Sequence, residues 1–463
     1  MTRRRFVASA AGGAALALAS SAIGRVPAPG SPADTRAWLR DAVLYGVAPH
    51  LYARGQGGWR GVADRLPELR RLGVTTIWLA PATPTPGGDF GYDPVDLFGV
   101  RTDLGPVRDF RALLAEIRRH DMRVVLDVVV NHTSRQHPWF QDARRSGPDS
   151  PYWSYYQRDA RGRPRHEFDW THLPNLDYGN PRVRDAVHRA LLRWVDRFDV
   201  DGLRLDAAWA VGERAPAYWP RLRSFLHAHR PGVVLVGEAS ARDPSSARAF
   251  DLAYDWTRQV GRHAWEDAFE DPLRAPDSIR AALDAAGPAG PRTLRFLDNN
   301  DTGERFVTRH GPALTRVATA MLLTLDGVPS LYTGSDVGAE YEPYGPPEPI
   351  SWRDRHGLRP WHRRLIALRA ALPALRSDER GELPGAAPPG VLAYTRGEGP
   401  ASVLVLLNAG SRPATVRLDG AALRARWGAP AARDALDGRA VPLAGLAPTV
   451  ELPAHGVAVL APA

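Results

Sequence analysis

From residue 41 onward, short apolar runs alternate with longer segments in which apolar residues return every three or four positions. That alternation is the pattern of repeated strand–helix units. Ala42–Val47 reads as a first strand, and Val62, Leu66, Leu69 and Leu72 then mark one face of a helix. Thr75–Leu79 is the second strand, followed by a helical face of Phe110, Leu113, Leu114 and Ile117. Arg123–Val130 is the third, and its β-branched run suits a strand buried on both faces.

The alternation then stops. Residues 131–180 are polar, Pro-rich and aromatic, with Trp139, Tyr152, Trp153, Tyr155, Tyr156 and Trp170. A structureless loop of that length is unexpected inside a compact domain, so the stretch predicts a small inserted domain. Helical spacing resumes at Val183, Val187 and Leu191, and strands follow at Gly202–Asp206, Val233–Glu238, Asp251–Tyr254, Thr293–Asp298 and Ser330–Tyr332. Eight strands predict an α/β fold, a closed (β/α)8 TIM barrel with an insertion after its third strand. Past the helix around Leu365 and Leu368, Ser402–Leu407, Ala414–Leu418, Thr449–Leu452 and Val457–Leu460 lie between Gly/Pro turns and predict a C-terminal all-β domain. The expected division is a leader at 1–24, barrel at 25–130 and 181–378, insert at 131–180 and β-sandwich at 379–463.

Composition removes several classes of function. The net charge is +9 over 463 residues, which invites a nucleic-acid reading, but the Arg residues are scattered and often stand beside acids, as in Asp64-Arg65. Basic patches, not totals, make that footprint. No lysine occurs, so neither a Schiff-base lysine nor a P-loop lysine is available. There is no cysteine, hence no disulfide. At the start, Arg3-Arg4-Arg5-Phe6 precedes an apolar run from Val7 to Ala19 and small residues at Ala19, Ala22 and Gly24. This predicts a cleaved export signal of the twin-arginine kind and a periplasmic or extracellular protein, with no membrane association after cleavage.

Three acids fall at the C-terminal ends of predicted strands, where barrel enzymes carry their chemistry. Asp206 closes Gly-Leu-Arg-Leu-Asp, Glu238 closes Val-Val-Leu-Val-Gly-Glu, and Asp301 follows Leu-Arg-Phe-Leu-Asp-Asn-Asn. A single such acid is commonly a helix cap. Three of them fit glycosidic bond cleavage with retention, which takes a nucleophilic carboxylate and a protonated acid roughly 5–5.5 Å apart. Arg204 lies two residues before Asp206, on the same face of its strand, placed to hold it ionised.

With these residues in view, the chain resembles the α-amylase family, glycoside hydrolase family 13, over nearly all of residues 41–463. Asp127-Val-Val-Val-Asn131-His132, Gly202-Leu-Arg204-Leu-Asp206, Gly237-Glu238 and Phe296-Leu-Asp-Asn-Asn300-Asp301 are similar to its four motifs, in order. Gly91-Tyr92-Asp93-Pro94, Leu173–Asp177 and Gly327–Gly334 add to the match. The resemblance implies Asp206 as nucleophile, Glu238 as general acid/base, and Asp301 as the residue that grips sugar hydroxyls. It implies further that Arg204 orients the nucleophile, His132 bonds the primary hydroxyl, Tyr92 stacks under the sugar, and Asp93 supports that wall. The implied partner is an α-glucan or malto-oligosaccharide, and no organic cofactor is expected. A structural calcium ion is expected only in members where Asn131 is a ligand, with acids such as Asp169 or Asp177 from the insert.

Two departures qualify that expectation. The fourth motif of the family ends Asn-His-Asp, its histidine donating to the bound sugar, whereas this chain has Asn300 there, expected still to donate to the substrate but shorter and unable to become charged. Many starch-degrading members have Lys-His where this chain has Trp209-Ala210. Trp209 either offers an aromatic platform to a sugar or packs against the insert. A hydrolase cleaving α-1,4 bonds, a transglycosylase with the same residues, and a non-catalytic carbohydrate-binding barrel are the competing readings.

Overall fold

The computed structural model describes residues 32–463 apart from 88–89, 258, 264, 266, 285–289, 384 and 446–447. The expected leader at 1–24 lies outside the described residues. Among them, no helix is long and apolar enough to cross a membrane.

Eight parallel strands close into a barrel in sequence order. They are β1 (Leu44–Val47), β2 (Thr76–Leu79), β3 (Arg123–Val129), β4 (Gly202–Asp206), β5 (Val234–Ser240), β6 (Leu252–Tyr254), β7 (Arg292–Arg295) and β8 (Val328–Tyr332). Closure is made by β1 against β8, with Leu44 opposite Ser330. Each predicted strand is present, with ends shifted by at most three residues. The barrel interior is filled by Leu44, Trp78, Val125, Val234, Val236, Leu252, Leu294 and Val328. A second apolar layer, including Leu66, Phe110, Leu114, Val187, Leu191 and Trp194, seals the helices against the outside of the strands. That two-layer burial explains why the strands read as apolar runs and the helices as stripes.

Two local irregularities position the site. On β5 the register with β6 slips after Gly237, so Gly237 pairs with Ala253 but Ser240 with Tyr254. The bulge leaves Glu238 and Ala239 without partners and re-aims the Glu238 side chain. Gly237 itself is required there, because a Cβ would meet the Phe250 ring at 2.5 Å. After β4, Ala207 adopts φ 44° and ψ 38°, a left-handed conformation unfavourable for a residue with a Cβ.

The insert has a helix at Pro138–Ser146 and isolated bridges, His132 with Asn175 and Tyr156 with Leu176. Its aromatics make its small core: Phe140 packs edge-on to Tyr156 at 4.9 Å and Trp139 stacks with Tyr152 at 5.9 Å. The C-terminal region holds a six-stranded and a three-stranded antiparallel sheet with a shared core that includes Val391, Leu404, Leu406, Val416, Val450 and Leu460. A helix at Gly420–Trp427, capped by the Asp419 side chain, was not expected from the turn-rich sequence there. This region is tied to the barrel through Asp326, which accepts from Arg295 at 2.8 Å and from Arg380 at 3.4 Å. Burial opposes its ionisation, yet Arg295, Arg396 and Arg380 hold Asp326 down to about 2.

Candidate active site

At the C-terminal mouth of the barrel, the fully buried guanidinium of Arg204 organises the carboxylates. Its Nη1 donates to Asp127 Oδ1 at 2.9 Å and to Asp206 Oδ1 at 2.8 Å. Nη2 donates to Glu238 Oε2 at 2.7 Å, and Nε to the Tyr254 hydroxyl at 3.1 Å. The planar fork thus fixes residues from β3, β4, β5 and β6, which a lysine ammonium could not do with the same geometry. Asp127 is completed by the Trp78 indole N–H at 3.2 Å and the Tyr92 hydroxyl at 2.9 Å. The strained Ala207 directs its N–H to Glu238 Oε2 at 2.7 Å.

Of the three carboxyls that share Arg204, those of Glu238 and Asp206 face the cavity. Burial pushes Glu238 up to about 8, against the pull of Arg204 and with the Asp206 charge adding to the rise. Burial also raises Asp206, to about 7, with Arg204 opposing and Asp127 and Asp301 adding. Near neutrality the pair therefore retains a proton that carboxyls in water would have lost, the acid that glycosidic cleavage needs. Withdrawal from water raises Asp301 to about 7, with the Glu238 charge adding to the rise and Arg204 opposing it.

Asp206, Glu238, Asp301, Tyr92, His132 and Trp209 all line one cavity of about 510 Å³. Arg204, Asp93 and Asn300 stand behind this wall. Asp93 is buried and accepts from the Thr85 hydroxyl. Asn300 corrects an expectation: its Nδ2 donates to Asp301 Oδ1 at 2.9 Å and to the Tyr344 hydroxyl at 3.1 Å, so the amide steadies Asp301 instead of facing the cavity. His132 lines the cavity but donates from Nε2 to the Tyr92 carbonyl at 2.8 Å, which commits that proton to the wall.

The cavity also contains residues not singled out from the sequence, among them Glu167, Phe168, His172, Trp256, His263 and Tyr344, together with Trp170 of the insert. Phe168-Asp169-Trp170, two large aromatics in a polar segment, was the available signal. The Phe168 ring lies 5.7 Å from Trp209 and 5.1 Å from Trp170, so Trp209 both packs against the insert and lines the cavity.

The expected calcium ligand Asn131 is fully buried, but its Oδ1 accepts from Arg214 and its Nδ2 donates to Glu167. Asp177 caps a local turn, accepting from Gly179 N–H at 2.9 Å. Among the described residues no group of three or more His, Cys, Asp or Glu is disposed to hold a metal ion. A guanidinium already meets the oxygen that calcium would need, so the residues as arranged do not fit the ion.

Comparison with known proteins agrees with this geometry. The family described as "Alpha amylase, catalytic domain" matches residues 5–355. An α-amylase, MalA, of Haloarcula japonica is 29% identical over 401 residues, covering 84% of this chain and 58% of that protein. A trehalose synthase/amylase of Mycobacterium tuberculosis is 36% identical over 248 residues, covering 45% of this chain and 41% of that protein. The chain thus spans about half the length of these curated relatives. A crystal structure from Thermus thermophilus superimposes with a TM-score of 0.77 at 25% identity, covering 92% of this chain and all of the other. A Geobacillus thermoleovorans α-amylase shares the fold, with a TM-score of 0.76 at 22% identity over 91% of this chain and 98% of its own. The chain belongs to the α-amylase family of glycosidases and transglycosylases, glycoside hydrolase family 13.

Proposed function

We propose that this chain is an exported retaining hydrolase that cleaves α-1,4-glucosidic bonds in malto-oligosaccharides, with cyclodextrins and starch-like glucans as related substrates. The observation that carries the reading is the Arg204 fork, which holds Asp206 and Glu238 on separate nitrogens beside Asp301 in one cavity. In the first step an Asp206 oxygen attacks the anomeric carbon while the glycosidic oxygen leaves with the Glu238 proton. In the second, water attacks the same carbon, gives its proton to Glu238, and releases Asp206. Asp301 grips sugar hydroxyls on the cavity wall, and Tyr92 offers its ring to the sugar face. Export rests on the Arg3-Arg4-Arg5-Phe6 segment and the apolar run behind it.

The test is product formation from maltoheptaose by the mature protein, with Asp206→Asn as the blank. Shorter sugars from the wild type alone support hydrolysis. Longer products move the reading to transglycosylation, in which a sugar hydroxyl replaces water. A folded protein that turns over none of several α-glucans would leave the carbohydrate-binding reading in its place.

A further inference from the structure

Among the described residues, two side-chain hydroxyls line the catalytic cavity, those of Tyr92 and Tyr344. The Tyr92 proton is committed to Asp127 Oδ2 at 2.9 Å. The Tyr344 hydroxyl is placed differently. Its oxygen accepts from Asn300 Nδ2 at 3.1 Å, and the same nitrogen donates to Asp301 Oδ1 at 2.9 Å. An ionised Asp301 only accepts, so it sets the amide with its nitrogen towards both oxygens. With a lone pair of the phenol engaged in this way, the group has its proton left to offer. That proton is directed at Asp301 Oδ1 over 3.4 Å. A good O–H···O bond is about 2.7–2.8 Å, so this one is stretched, and the proton can turn to a better acceptor at little cost.

The chain around Tyr344 holds the hydroxyl in place. Between β8 and the helix at Leu358–Ala371, residues 340–350 are irregular but fastened at both ends. The Tyr341 hydroxyl donates to the Thr333 carbonyl at 2.7 Å, and Ile350 N–H donates to the Leu51 carbonyl at 3.0 Å. Between these anchors a turn is closed by Gly345 N–H on the Glu342 carbonyl at 3.0 Å. The Tyr344 ring leans on Phe90, with centroids 6.0 Å apart, and stands edge-on to Tyr92 at 6.5 Å. Half of the residue is nevertheless exposed, so its anchored hydroxyl is open to a ligand.

The chemistry of the wall indicates what that ligand supplies. Asp206, Glu238 and Asp301 offer acceptors when ionised, and a pyranose hydroxyl both gives a proton and accepts one. Asp301 and Tyr344 set an acceptor and a donor 3.4 Å apart, a spacing suited to neighbouring hydroxyls on one sugar ring. We propose that Tyr344 is a further substrate-binding residue, its hydroxyl donating to a ring hydroxyl of the glucosyl unit that Asp301 grips. It fills the donor role that Asn300, bonded to Asp301, does not. The proposal rests on the glycosidase reading above and names a specificity residue for the glucosyl unit.

The experiment compares kcat/KM for α-glucosyl fluoride and its 2-, 3-, 4- and 6-deoxy analogues in the wild type and in Tyr344→Phe. Phenylalanine keeps the ring and its contacts with Phe90 and Tyr92. All five substrates share one leaving group, so differences among them report on the glucosyl unit. The expected result is a fall of about tenfold for the parent fluoride, shrinking to within about twofold for an analogue that lacks the hydroxyl Tyr344 meets. An equal fall for the parent and every analogue means that the hydroxyl acts only through Asp301, and overturns the proposal. No fall for the parent overturns it too. A wild type inert toward both α-glucosyl fluoride and maltoheptaose overturns the glycosidase reading instead. Wherever the fluoride is not turned over, Tyr344 is judged by calorimetric titration of Asp206→Asn with maltotriose. Several-fold weaker binding when Tyr344→Phe is added supports the contact, and equal binding overturns it.

Discussion

The backbone N–H of Ala207 donates to Glu238 Oε2 at 2.7 Å, so the residue that follows the β4 carboxylate fixes the carboxyl of β5. The contact requires the left-handed backbone of Ala207, and Arg204 binds the same oxygen from below at 2.7 Å. The proposed acid and nucleophile are therefore positioned by one short stretch of chain, residues 204–207.

If that backbone conformation is needed, position 207 should discriminate by side-chain shape. Ala207→Val, β-branched and buried, is predicted to lose about 1–3 kcal/mol of stability. Ala207→Gly should stay within about 1 kcal/mol of the wild type, because glycine adopts positive φ freely but loses more entropy on folding. Urea unfolding of the two variants checks the order.

Arg204 is the most connected side chain of the site. Arg204→Leu leaves three buried carboxylates without their shared cation, and a loss of about 3–5 kcal/mol in stability is expected. Arg204→Lys keeps the charge but loses the fork, and kcat should fall by roughly 100- to 1,000-fold with the fold retained. Thermal melts together with steady-state kinetics separate the two effects.

The raised carboxyls set the pH dependence. The proposed mechanism needs Asp206 ionised, which is gained through about 7, and Glu238 protonated, which is lost through about 8. The profile of kcat/KM should be a narrow bell centred between those values, its limbs belonging to the coupled pair. Stability follows the opposite logic. A carboxyl whose value is raised on folding binds its proton more tightly in the folded state, so its contribution is present at low pH and is lost as pH climbs towards 8. Glu238→Gln should abolish activity and flatten the decline in Tm between about pH 5 and pH 8.

At the junction of insert and barrel, Arg214 donates to the Asn131 oxygen and feels the charges of Glu167, Glu213 and Asp177. The positive charge there is supplied by the chain. Equal Tm values in excess calcium and in excess EDTA are expected, and a calcium-dependent rise would contradict this arrangement.

The barrel and its three acids could be read from the sequence because their signals are local. A buried parallel strand is a continuous apolar run, and an acid directly after it has little packing purpose. The features missed depend on partners remote in the chain. Arg214 meets Asn131 across 83 residues, and Tyr344 meets Asn300 across 44, so no periodicity announces either pair. Asn300 was expected to face the substrate as its motif neighbour does, but adjacent residues in a turn point different ways, and its amide fell behind Asp301. Trp170 reads as one more aromatic of the insert and Phe168 does not stand out at all, because exposure has no pattern in the sequence. The helix at Gly420–Trp427 lay hidden in an Ala- and Arg-rich stretch without an amphipathic stripe.

The central claim is that Asp206 forms a covalent bond to the sugar while Glu238 handles the proton. The most direct measurement is to trap that intermediate with 5-fluoro-α-glucosyl fluoride, which slows its hydrolysis, and to locate the label by peptide mass spectrometry. The account predicts a single glycosylated peptide with the modification on Asp206, formed faster in the wild type than in Glu238→Gln. A label on Glu238 or Asp301, or none while the enzyme still turns over maltoheptaose, would contradict it.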